Sequence, residues 1–351
     1  MLHRLAFFLK KNYLWAFFCF FLTNCSKNYE NYNQCFYYWK TTIDSTNTQP
    51  LKDIRNKLEK TRPSLSPLYL HFFDVVVENY RALPAGVLQI QDSCLQGMNI
   101  VPVVYLKNEV FLQIPTDSLG VLADLVSQKL LNMLQRHNIQ TPTEFQLDCD
   151  WTQKTQNNYF QFIRLYKQAL SKKLQNNILL SCTIRLYPMK YAKKMGVPPV
   201  DSGVLMCYNL KNPTILHPTN SILSVDEAKG YLPALKNYPL RLDLALPIFS
   251  WVTVFRNGKF LKLINGVSSA TIRSQDYLTA NGNDFFNVKK PISLMGTALQ
   301  VGDVLKIEAP SSQTIRQVHE LVNEYLLTPP QRVIYFHFEP QNLIDYQDIL
   351  R

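Results

Sequence analysis

The chain has 351 residues, room for one large domain or two small ones, and its 46% hydrophobic and 12% aromatic content is that of a folded protein. A net charge of +11 suits contact with anionic envelope polymers or lipid headgroups. The lysines and arginines are dispersed, with no dense basic run and no zinc-finger or RNP-type pattern, which argues against a nucleic-acid binder.

Arg4, Lys10 and Lys11 make the N-terminus positive, and Tyr13–Leu22 follows as ten almost wholly apolar residues. That run falls short of the roughly 20 residues a membrane-crossing helix needs. It has the length of a signal-peptide core. Leu22-Thr23-Asn24-Cys25 then resembles the lipobox of bacterial lipoproteins, whose cysteine is acylated and becomes the first mature residue. Asn24 stands where that motif usually has Gly or Ala. The resemblance implies a signal peptide over 1–24, a lipid on Cys25, and attachment to a membrane of the bacterial cell envelope, at the outer membrane or cell surface. An uncleaved signal anchor starting near Leu5 is the alternative. Residues 25–66, rich in Asn, Thr, Ser, Lys and Tyr, read as a tether with one helical stretch near Leu51–Lys60, ended by Pro63.

The remaining cysteines show no CxxC spacing, so no metal site and no cofactor is expected from them. Cys149, Cys182 and Cys207 fall inside strand-like runs and read as small buried apolar residues. Cys35 and Cys94 are left as a candidate disulfide pair.

From residue 67 to 351 short apolar runs alternate with helical patterns. The expected strands are Leu68–Val76, Ile100–Leu106, Glu144–Trp151, Ile178–Leu186, Gly203–Leu210, Leu242–Phe255, Val304–Glu308 and Val333–Glu339. Helices are expected at Leu119–Gln135, with a stripe of apolar residues that includes Val121 and Leu125, and at Asn157–Leu174, Asp226–Lys236 and Gln313–Leu326. Pro84 and Gly86 interrupt any helix between the first two strands. Asn257-Gly258 between two apolar runs predicts a hairpin that returns through Phe260–Ile264, opening an insertion at about 256–300 after the sixth strand. Eight strands with helices between most of them predict an α/β fold of the (β/α)8 TIM-barrel type, irregular in places. A doubly wound open sheet is the alternative.

Barrel chemistry gathers at the C-terminal strand ends, and interior positions recur every second residue. In Glu144–Trp151 that alternation puts Glu144, Gln146, Asp148 and Asp150 on one face. Two neighbouring carboxylates repel, so one is expected to hold its proton towards neutral pH, as a general acid must. Glu308 and Glu339 close two further strands as candidate catalytic carboxylates, or serve as N-caps of the helices that follow. Asp74, Arg185, Tyr187, Tyr208, Asn209, Trp251 and His337 are the candidate substrate-binding residues, the aromatics because they can stack on sugar rings. The competing roles are charge neutralisation for Arg185 and core packing for His337, Tyr208 and Trp251.

Gln146-Leu-Asp148-Cys-Asp150-Trp-Thr152 resembles the acidic strand of chitinase-like family 18 glycoside hydrolases, where Asp-x-Asp-x-Glu ends a barrel strand. Met206-Cys-Tyr208-Asn209 is similar to that family's Met-x-Tyr-Asp strand. The resemblance implies that Asp150 orients an acetamido group and that Tyr208 supports it. It puts the catalytic acid at Thr152, which cannot serve as one, and Asn209 where the family has Asp. With Phe72-Phe-Asp74-Val, Val101-Pro-Val-Val104 and Gly196-Val-Pro-Pro-Val-Asp201, the chain also looks like barrel lipoproteins of Gram-negative bacteria.

Three functions follow as expectations. The first is an envelope glycosidase using carboxylates among Asp148, Asp150, Glu308 and Glu339, retaining if two stand ~5 Å apart and inverting at ~6.5–9.5 Å. The second is a catalytically silent barrel that binds a glycan or cell-wall polymer, or serves envelope assembly. The third is metal-dependent hydrolysis through Asp74, Asp148, Asp150 and His337.

Overall fold

The computed structural model describes residues 32–59, 66–91 and 93–350. The expected signal segment and the expected lipid site, Cys25, lie outside the described residues. Eight parallel strands close on themselves: β1 Asn33–Tyr38, β2 Leu68–Glu78, β3 Ile100–Leu106, β4 Glu144–Asp148, β5 Leu179–Arg185, β6 Ser202–Met206, β7 Leu242–Pro247 and β8 Arg332–Phe336. Each pairs with the next in order, and β1 closes the ring by pairing with both β8 (Asn33 opposite Arg332) and β2 (Phe36 opposite Leu68). This is the TIM barrel expected from the sequence.

Two strands change places in the count of eight. Residues 33–38, expected in the tether, form β1, so the barrel begins well before residue 67. Cys35, Phe36, Tyr37 and Tyr38 are all buried. Val304–Glu308, expected as a barrel strand, instead lies antiparallel to Trp251–Arg256 in a separate sheet. The expected long strand Leu242–Phe255 is correspondingly two elements, β7 and Trp251–Arg256.

The second sheet is a five-stranded insertion between β7 and β8, ordered 259–265, 251–256, 304–308, 285–288, 278–280. Its hairpin turns at Asn257 and Gly258, both with positive φ (52° and 72°), as the two-residue loop requires. Val252, Val254, Ile264, Phe286, Leu305 and Ile307 give it a hydrophobic core of its own. It is larger than the loop-rich segment expected at 256–300, and with β1 counted it follows the seventh strand.

Helix α1, Ser45–Glu59, follows β1; α2, Leu119–Arg136, follows β3; α3, Gln156–Leu174, follows β4; α4, Ser312–Tyr325, precedes β8. Leu122, Val126, Leu130 and Met133 of α2 face the barrel. Val121 and Leu125 are exposed, against the expected stripe. Between β2 and β3 the chain folds back as strand Arg81–Ala85 on β2, the conformation Pro84 and Gly86 favour over a helix. Cys35 and Cys94 are two buried thiols and do not form the candidate disulfide.

The barrel interior is polar in layers. At the N-terminal end Glu144 of β4 pairs with Arg332 of β8 and accepts from Ser181 Oγ of β5 at 2.7 Å, while Arg332 also donates to Tyr69 OH at 2.7 Å. One layer up, Tyr37 OH of β1 donates to Gln146 Oε1 at 2.6 Å, across the barrel. Each buried polar group so paired avoids a cost of about 1–3 kcal/mol.

Because β1 supplies both closing ladders and the Tyr37 hydroxyl, a chain started at residue 67 is expected to leave β2 and β8 as open edges. It should aggregate or melt without a cooperative transition, whereas a chain started at residue 26 should melt cooperatively. Circular-dichroism melts of the two compare them directly, and a cooperative melt from the shorter chain would show β1 to be dispensable.

Candidate active site

Asp148 is the last residue of β4 and points into the barrel, with only 7% of its surface exposed. It accepts a hydrogen bond from Thr183 Oγ1 of β5 at 2.5 Å. Burial, and then the nearby charge of Asp150, push its carboxyl up to about 6, against the pull of Thr183, Arg185 and His71. Two residues on, Asp150 is held by both ends of Arg185, with Nε at 2.7 Å from Oδ1 and Nη2 at 3.0 Å from Oδ2. That forked geometry fixes the carboxylate's plane as well as its position.

Beside this pair opens a cleft of about 470 Å³. Asp150, Thr152, Arg185, Tyr187, Tyr208, Asn209, Lys194 and Tyr231 are among the residues that line it, and Asp150 is the one carboxylate among them. Tyr187 is half exposed, with its ring 4.6 Å from that of Tyr191. Tyr208 is buried, stacks on Phe336 at 5.2 Å, and its hydroxyl has no hydrogen-bond partner among the described residues. Asn209 takes a positive φ of 56° just after β6. Thr152 is exposed, and its backbone N–H donates to Thr155 Oγ1 at 2.9 Å, a turn that leads into α3.

The wall opposite β4 is fixed by two contacts. Trp151 is buried, and its indole N–H donates to the Met195 carbonyl at 2.9 Å. Gly196 follows with φ of 69°, so close to α3 that a Cβ there would lie 2.3 Å from Gln156 Nε2. A larger residue there would have to push aside the Gln156 and Phe160 side chains and adopt a backbone conformation that favours glycine.

Four sequence candidates lie elsewhere. Glu308 is in the insertion sheet and 1% exposed, so it closes no barrel strand. Its carboxylate accepts from Ser221 N at 2.6 Å, Ser221 Oγ at 2.7 Å, Trp251 Nε1 at 2.8 Å and Lys306 Nζ at 2.7 Å. Glu308 and Trp251 therefore fasten the loop after β6 to the insertion, and neither lines the cleft. Glu339 follows β8 and pairs with Lys40 after β1 at 2.7 Å. It precedes helix Pro340–Asp345 without a side-chain capping bond. His337 is half-buried and follows a cis peptide bond; burial lowers its pKa, and its Nδ1 has no hydrogen-bond partner among the described residues.

Asp74 does reach the barrel mouth, through a route that strand alternation does not give. The β2–β3 register slips between His71 and Phe73, and this bulge brings Asp74 onto the same side as His71. Asp74 Oδ1 lies 2.7 Å from His71 Nε2, and the His71 ring stacks on Trp39 at 4.6 Å. His71, Trp39 and Lys194 were not among the sequence candidates. His71 does sit two residues after Tyr69 on the inner face, which is the one signal that could have found it. Among the described residues no group of three or more His, Cys, Asp or Glu side chains is arranged to hold a metal ion.

No family model and no curated protein matches the chain by sequence. Solved structures do match. The spore cortex-lytic enzyme SleL of Bacillus megaterium aligns over 91% of this chain and 74% of its own at 13% identity, with a TM-score of 0.57. The fold is that of the chitinase-like family 18 barrels. A chitinase of Chromobacterium violaceum aligns over 90% of this chain and 98% of its own at 13% identity and a TM-score of 0.54. A family 18 N-acetylglucosaminidase of Paenibacillus barengoltzii aligns over 91% and 99% at 12% identity and 0.51.

Asp148 provides a test of the site's electrostatics. Folded, it holds its proton to about pH 6; an unfolded aspartate releases it near pH 4. Between those values the folded state binds more protons, so stability falls as pH rises through that window. Going from about pH 4.5 to about pH 7.5, the wild type is expected to lose about 2 kcal/mol more than Asp148→Asn. Urea titrations of both proteins at the two pH values measure this difference, and equal losses would place the carboxyl in a solvated setting.

Proposed function

We propose that the chain is a glycan-binding barrel without hydrolytic activity, exported and held at the cell envelope by a lipid on Cys25. The observation that carries the silent reading is Thr152. It lies on the cleft at the position that the family 18 resemblance gives to the catalytic acid, and it bears a hydroxyl. Glycoside hydrolysis calls for a group that can protonate the leaving oxygen. Asp150, the carboxylate of the cleft, is committed to Arg185 by two hydrogen bonds. Asp148 lies buried beneath it, engaged with Thr183.

What remains suits recognition. Tyr187 offers an exposed ring for the apolar face of a sugar. Asn209, Arg185 and Thr152 supply hydrogen-bonding groups to its hydroxyl and amide substituents. The relatives in fold are named as chitinase, N-acetylglucosaminidase and spore cortex-lytic enzyme, which favours a glycan built on N-acetylglucosamine.

Calorimetry on a chain started at residue 26 is expected to detect binding of the N-acetylglucosamine tetramer, weakened about tenfold, or 1.4 kcal/mol, by Tyr187→Ala. Incubation with the same tetramer should release no new reducing ends. Release that disappears in Asp148→Asn would overturn the silent reading and make the barrel a hydrolase. The anchor is tested separately: cells fed radiolabelled palmitate should label the full chain and should not label Cys25→Ser, while equal labelling of both would exclude Cys25 as the lipid site.

A further inference from the structure

We propose that the cleft selects an acidic glycan, one carrying a carboxylate beside an N-acetylated sugar, with Lys194 as the countercharge. This rests on the glycan-binding reading above and names the ligand class for it.

The charge inventory of the cleft is lopsided. Its lining holds two cations, Arg185 and Lys194, and one carboxylate, Asp150. Arg185 and Asp150 neutralise each other in a forked pair. Lys194 is exposed and is paired with no carboxylate by the ion pairs of the described residues. Neighbouring lysines are differently engaged: Lys190 donates to the Gly230 carbonyl at 2.7 Å and sits over the rings of Tyr191 and Tyr231. The ammonium of Lys194 is thus the net charge a ligand meets.

Its place is built. The Trp151 indole bond to the Met195 carbonyl ties the residue next to Lys194 to the residue next to Thr152. Gly196, locked against α3, fixes the other side of that turn. Lys194 and Thr152 therefore face one space from two joined segments. A glutamate at residue 152 would pair with this lysine or repel an incoming carboxylate; a threonine does neither. The residue that removes the acid also leaves Asp150, already paired with Arg185, as the carboxylate of the lining, so the two features suit one ligand class. Tyr187, on the same lining and backed by the Tyr191 ring, gives the sugar face something to rest on while its carboxylate reaches the lysine.

Two tetrasaccharides with the same β-1,4 backbone separate the possibilities. One is the neutral N-acetylglucosamine tetramer. The other alternates N-acetylglucosamine with N-acetylmuramic acid, whose lactyl groups add carboxylates. Calorimetry on the chain from residue 26 is expected to show the acidic tetramer preferred about tenfold at low salt, with the preference shrinking as salt screens it. Lys194→Gln and Thr152→Glu should each bring the ratio of the two affinities to near one. The ratio is read within each variant, so a general loss of folding does not mimic the effect. Binding of the neutral tetramer alone, or a preference that survives Lys194→Gln, overturns the acidic-ligand proposal and keeps the glycan reading. Binding of neither tetramer overturns both.

Discussion

One face of β4 carries three polar side chains, Glu144, Gln146 and Asp148, into a barrel that leaves each of them 7% exposed or less. A buried polar group without a partner costs about as much as a stabilising mutation gains, so the remaining strands must supply partners at matching heights. Arg332 and Ser181 meet Glu144, Tyr37 meets Gln146, and Thr183 meets Asp148. Asp150, one step past the strand, emerges from the interior and takes Arg185. The cleft begins where the satisfied interior ends. Its properties follow from that boundary: the carboxylates nearest to it are already committed, and the ligand-facing surface is left to aromatic rings, amides and one lysine.

How much of this could be read in the sequence depended on whether a feature was local. The alternation of β4 was plain, because acidic and amide residues interleave with Phe145, Leu147 and Cys149. The inner face of that strand is therefore legible, and so is the place of Asp148 and Asp150 at and just past its C-terminal end. β1 was hidden by its surroundings: six residues, Asn33–Tyr38, lie in a stretch of Asn, Tyr and Lys whose composition resembles a linker. Val304–Glu308 shows the opposite failure. Its pattern of period two is the same for a barrel strand as for an antiparallel one, and only its pairing with Trp251–Arg256 tells them apart. Glu308 was misplaced as a consequence. Asp74 reached the mouth through a bulge, which shifts the phase of alternation without a mark in the sequence. Lys194 carries no mark in the sequence, since its place on the cleft goes with the Trp151–Met195 bond between distant segments.

The insertion has a structural part to play in the loop after β6. Lys306 and Glu308 form a buried ion pair at 2.7 Å, an arrangement whose desolvation is offset only when every remaining site is hydrogen-bonded. Here Ser221 and Trp251 fill the remaining acceptor sites of Glu308, and the Thr219 carbonyl takes a second N–H of Lys306. The loop that starts at Asn209 and Leu210 on the cleft is thus pinned at its far end by a second sheet with its own core. Substitutions in that sheet can alter the cleft without touching it.

The pairing of Asn33 with Arg332 joins residues from opposite ends of the chain. Contacts so distant in sequence form late and slowly, because the whole intervening chain must be ordered before they stabilise anything. The ring cannot close until β1 and β8 are both in place, with every other barrel strand lying between them in sequence. The insertion, by contrast, draws its strands from 251–308 and can assemble from neighbouring segments. The core of the insertion can therefore form before the ring it is attached to is closed, so the smaller sheet does not wait on the larger one.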